Sequence, residues 1–144
     1  RSHTMAIIPV RTGVGMHGVV CRVVDDGSNR YLEGRVEVMG EDVVVAVGGG
    51  ERPHVGVVVV ALPVPSKKAP GKWSASCSVV TIPPHKEEPI ARSIATHLAK
   101  TLGRVTVVTA GVHDDNIDAD GIRTYIRLGE ELGKELGENL GSDE

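Results

Sequence analysis

The segment TAGVHDDNIDADG, residues 109–121, sets His113 and four aspartates directly after an apolar run. Such a set could hold a metal, work as a carboxylate cluster, or simply open a helix. An EF-hand needs oxygen ligands at loop positions 1, 3 and 5, glycine at 6 and glutamate at 12. Counting from Asp114 puts Ala119 and Tyr125 at the last two places, and counting from Asn116 puts Arg127 at the last, so calcium fails in both registers. Asp118, Asp120 and Asn116 suit a capping role, accepting from the free amides of a helix that starts near Gly121. Capping does not explain His113 and Asp115, which stand where a strand delivers its end to the surface.

Two other histidines have comparable settings. His54 follows Pro53 at the entry to a strand, and His85 in IPPHKEEPIAR lies between a strand and a helix. A strand, helix and strand in succession usually give parallel strands, so His85 and His113 should emerge at one sheet edge. Lys86, Arg92 and Asp115 would join them. Imidazoles, cations and a carboxylate together suit a phosphate- or carboxylate-bearing ligand and leave room for acid–base chemistry. The alternative is a solvated helix entrance in which Lys86, Glu87, Glu88 and Arg92 make local ion pairs. Nothing in the spacing of His54, His85 and His113 demands zinc, and no metal is expected. His97 reads as a boundary residue and His17 as weaker still. GVGMHG (13–18) satisfies GxGxxG but precedes a strand rather than a helix, so it reads as an entry loop. GGGER lacks the Lys-Ser/Thr of a phosphate loop and reads as a hairpin bulge. Ser74, Ser76 and Ser78 have no nucleophile-elbow context, and no catalytic residue is assigned.

These residues need a scaffold. GVVCRVV (18–24), LEGRVEV (32–38), DVVVAV (42–47), HVGVVVVAL (54–62), WSASCSVVTI (73–82) and RVTVVTA (104–110) read as strands, the second with a clean two-residue alternation that argues for antiparallel pairing. Ile90, Ile94, Leu98 and Leu102 recur every four residues, giving a helix over 89–102 with Gly103 as its stop. A second helix runs from Gly121 to about Leu140. Its Leu128, Leu132, Leu136 and Leu140 form a ridge beside a groove of Gly129, Gly133, Gly137 and Gly141. That groove fits a close helix contact, for instance across a dimer; the alternative is a frayed end. The expected class is therefore α+β: one domain, a mainly antiparallel sheet of about six strands and two helices, in the order β-β-β-β-β-α-β-α.

The 144 residues suffice for one domain, taken as 6–144, with RSHTM (1–5) read as a vector remnant. A net charge of -3, 2% aromatics and no phenylalanine argue against nucleic acid. The longest apolar stretch, Val55 to Leu62, is too short for a bilayer, so a cytoplasmic location is expected. Cys21 and Cys77 lie in apolar runs and read as buried thiols.

GGGERPHVGVVVVA, SASCSVVTIPPHKEEPIARSIATHLAKTL and VTVVTAGVHDDNIDADGI together resemble the LpdD-like prenylated-flavin chaperone family, over about residues 43–127. The most specific parts are the Pro-His-Lys-acid-acid segment before the first helix and the Ala-Gly-apolar-His-x-Asp-Asn-Ile segment after the sixth strand. The resemblance implies a proteasome-assembly-chaperone type of fold. It also implies an accessory, non-catalytic role beside a UbiD-type hydroxyarylic acid decarboxylase, in delivery or maturation of prenylated FMN. Carried onto this sequence, it points to His54, His85, Lys86, Arg92, His113, Asp115 and Asn116 as cofactor-binding residues; a homodimer is expected separately, from the glycine groove of the last helix. Pro84 and DADG depart from the family pattern, and the Leu-Gly repeat lies outside it. Two other functions compete: a protein-assembly module without a small-molecule ligand and, with least support, a small lyase.

Overall fold

The computed structural model describes residues 2–11, 17–83 and 87–141, side chains excepted at 5–11 and 17. Strands β1 (Ser2–Arg11), β2 (His17–Asp25), β3 (Tyr31–Met39), β4 (Asp42–Gly50), β5 (Val57–Pro65) and β6 (Trp73–Thr81) are followed by helix α1 (Glu88–Leu102), strand β7 (Thr106–His113) and helix α2 (Ala119–Gly141). The class is α+β, as expected, with seven strands rather than six. The additional strand, β1, includes residues set aside as a vector remnant. Pro9 lies within it, and it occupies a sheet edge, where a missing ladder donor is tolerated. Most of the GVGMHG segment lies outside the described residues.

The sheet order is β1-β2-β3-β4-β7-β5-β6, with β4 and β7 parallel and all other neighbours antiparallel. GGGER is therefore not a hairpin bulge, because β7 stands between β4 and β5. The segment 51–56 instead crosses the end of β7 as a strap. The amides of Glu51 and Arg52 donate to His113 O at 2.8 and 3.2 Å, and that of Gly56 donates to Ala110 O at 2.9 Å. Uniformly apolar strands can accept neighbours on both sides, so DVVVAV and VVVVAL did not reveal which strand would lie between them.

Both helices cover one face of the sheet, α1 on β5, β6 and β7 and α2 on β2 and β3. Inward positions alternate along the strands, as with Leu32 and Val36 in β3 and Val57, Val59 and Ala61 in β5, and they meet Ile94, Leu98, Leu128, Leu132 and Leu136 from the helices. The glycine groove is filled by α1 of the same chain, so no second copy is needed to explain it and the end is not frayed. Cβ atoms built at Gly129, Gly133 and Gly137 would lie 3.2, 3.4 and 3.1 Å from Ile90, Ile94 and His97. Residue numbers rise together along both helices, so α1 and α2 run parallel. Gly103, with φ 64°, ends α1 by donating to Ala99 O at 2.9 Å. The Gly121 amide donates to Asp118 Oδ1 at 2.8 Å, the capping read from sequence.

Candidate functional site

Strands β6 and β7 are both antiparallel to β5 and hence parallel to each other, and Thr81, Val57 and Ala110 share one row. Gly50, at the end of β4, pairs with His113. The C-terminal ends of β4, β6 and β7 therefore lie at one edge, where both helices also begin. A cavity of about 350 Å³ opens there, walled by Val55, Ile82, Pro83, Ile90, Val112, Ile117, Ile122 and Ile126, with His54, Glu87, His113, Asp114 and Tyr125 as its polar lining. Val55, Ile82 and Ile122 are 53%, 48% and 37% exposed, unusually open for large apolar side chains grouped at one opening.

The strap brings His54 and Arg52 to this edge. Its close passage requires glycine at 111, where a Cβ would fall 1.6 Å from the His54 carbonyl oxygen. Arg52 Nη2 lies 2.7 Å from His113 Nε2 and donates to Asp115 Oδ1 at 2.9 Å, while His113 Nε2 is 3.0 Å from the same oxygen. The hydrogen bond from His113 and the Arg52 charge hold the Asp115 carboxyl below its ordinary range. On the other side His54 Nε2 lies 3.2 Å from Oε1 of the buried Glu87.

Asp114 fastens the strap. It accepts from the Glu51 amide at 2.9 Å, from Arg30 Nε at 3.3 Å and from the Tyr125 hydroxyl. Burial disfavours its charge, but the bonds from Tyr125, Glu51 and Arg30 prevail and hold its carboxyl below the usual value. Burial and the adjacent Asp114 push Tyr125 well above an ordinary phenol, so it serves as a donor rather than as a base.

Of the residues singled out in the sequence, His54 and His113 line the cavity and Asp115 joins them at its rim. Asn116 is exposed in the next turn, at φ 57°. Arg92 lies elsewhere: it pairs with Glu88 at 3.7 Å and borders a separate groove with Thr96, His97 and Lys100. His85 and Lys86 fall outside the described residues, although Pro83 and Glu87 on either side both line the cavity. Sequence reasoning missed Arg52, Asp114 and Tyr125 and named Glu87 only within the alternative of a solvated helix entrance. Local pattern held no signal for Arg52, because only the insertion of β7 brings it to His113. Tyr125 had one weak signal, being one of two tyrosines.

Among the described residues, no group of three histidine, cysteine, aspartate or glutamate side chains could hold a metal ion. No described helix is long and apolar enough to cross a membrane. A family model described as the prenylated flavin chaperone LpdD-like domain matches residues 27–141. No curated protein matches the chain.

Proposed function

Because the chain belongs to the LpdD-like prenylated flavin chaperone family, we propose that it holds prenylated FMN at the strap-edge cavity and passes it to a cytoplasmic UbiD-type decarboxylase of hydroxyarylic acids. The observation that carries this reading is the join of an apolar cavity to a polar rim where Arg52, though paired with Asp115, stays largely exposed beside His113. A prenylated flavin has an apolar ring-and-isoprenoid end and an anionic phosphate end. The isoleucine-rich wall fits the first, and Arg52 with His113 fits the second. Asp115 orients both rim groups without burying them, since Arg52 remains 67% exposed. The role proposed is holding and transfer of the cofactor rather than turnover. His85, Lys86 and Asn116 are assigned to cofactor contact on the family resemblance alone.

Titration of the purified protein with prenylated FMN, followed by absorbance or calorimetry, is expected to show saturable binding; its absence removes the reading. His113→Ala should weaken that binding and abolish rescue of a co-expressed decarboxylase, whereas full rescue would locate the site elsewhere.

One observation favours a second reading, a protein-assembly module. The sheet face away from the helices carries exposed Leu62 and Val80, an apolar surface suited to a partner protein or to a second copy in a dimer. Charged replacements there should abolish partner capture while leaving flavin binding intact.

A further inference from the structure

Glu87 is a cavity group that folding alone does not account for. Its side chain is only 6% exposed, and Oε1 faces His54. Oε2 is sealed from solvent and, among the described residues, has no hydrogen-bond partner. A buried carboxylate oxygen in that state destabilises the chain that holds it. Helix capping offers no compensation through this side chain, which makes no cap hydrogen bond. Space for it depends on Gly56, where a Cβ would lie 2.5 Å from Oε2. Around it the cavity is apolar, with Val55, Ile82, Pro83 and Ile90 among its walls.

We propose that Glu87 Oε2 is the acceptor for an N–H or O–H of the bound molecule. The cavity then selects an apolar ring or isoprenoid body that carries a donor over one that does not. The proposal rests on the cargo reading above and deepens it, from a matching polarity to a named contact that sets orientation. An apolar guest without a donor would leave the carboxylate oxygen as unpaired as before, whereas a guest with a donor relieves it, and that difference is the physical basis of selection.

The test compares prenylated FMN binding to wild type, Glu87→Gln and Glu87→Ala. It also compares wild-type binding of lumichrome, a flavin ring with N–H donors, with that of its 1,3-dimethyl derivative, which has none. Glu87→Ala is expected to weaken prenylated FMN by roughly tenfold to a hundredfold, the worth of a hydrogen bond to a charged acceptor. Wild type should prefer lumichrome by a similar factor. Unliganded Glu87→Gln should melt no lower than wild type, because it removes a buried charge. Equal binding of prenylated FMN to wild type and Glu87→Ala overturns the proposal, as does equal wild-type binding of the two lumichromes. Lower stability in Glu87→Gln with unchanged affinity would mark a structural role and overturn it too. If Glu87→Ala does not fold, the wild-type lumichrome pair decides alone. Absent prenylated FMN binding together with a retained lumichrome preference would sink the cargo reading while leaving the acceptor in place.

Discussion

Gly111→Ala tests the feature that creates the site, the strap across β7. The new Cβ would lie 1.6 Å from the His54 carbonyl oxygen and 2.2 Å from its carbon. Ordinary contact would require the strap to retreat by about 2 Å, since packed atoms sit roughly 3.5 Å apart. That retreat breaks the bonds from the His54 amide to Gly111 O and from the Gly56 amide to Ala110 O, 3.4 and 2.9 Å long. Two backbone bonds at ~1 kcal/mol each, plus partly unpaired groups, give a loss of roughly 2–4 kcal/mol. With the usual urea dependence for a small domain, the unfolding midpoint should fall by about 1–2 M. Cargo affinity should fall as well, because His54 moves from Glu87 and Arg52 from His113. Gly141→Ala is the control: its nearest neighbour would be Leu102 Cδ2 at 3.7 Å, so no loss is expected there. A Gly111→Ala protein with wild-type midpoint and affinity would refute the strap geometry.

Gly129→Leu should cost at least about 2 kcal/mol in chemical unfolding, because a Cβ already meets Ile90 Cγ2 at 3.2 Å and the further carbons have no room between the helices. Asp25, held down to a pKa of about 2 by its hydrogen bond to Ser28 and by Arg127, should make stability pH-dependent in acid. The native state binds this proton less readily than the unfolded chain. The contribution is therefore full above about pH 5 and lost as pH falls through 3.8 toward 2, roughly 2 kcal/mol in total, and Asp25→Asn should remove that part of the acid titration of stability. Tyr125→Phe removes the donor to Asp114 and should lower stability by about 1–2 kcal/mol; ultraviolet difference titration of wild type should find this phenol still protonated until alkaline unfolding.

Local pattern determined a good deal. The alternation of Leu32, Gly34 and Val36 with Glu33 and Arg35 marked a strand with one covered face, and the four-residue recurrence from Ile90 to Leu102 marked α1 and its inner side. Asp118 was legible as a cap because capping acts over three residues of chain. The shared edge of the loops after β6 and β7 followed from the strand-helix-strand connection, since a crossover of that length favours parallel strands. Arg52 beside His113, by contrast, depended on β7 pairing between β4 and β5, a long-range choice that the uniform valine runs leave undetermined. Glu87 looked like one more exposed acid in a charged segment until α1 packed on β5 and closed over it. The leucine-glycine series announced a close contact, but only tertiary packing decided that α1 of the same chain would fill it. Periodicity reports which face of an element is covered; what covers it is decided by the other elements competing for that face when the chain folds.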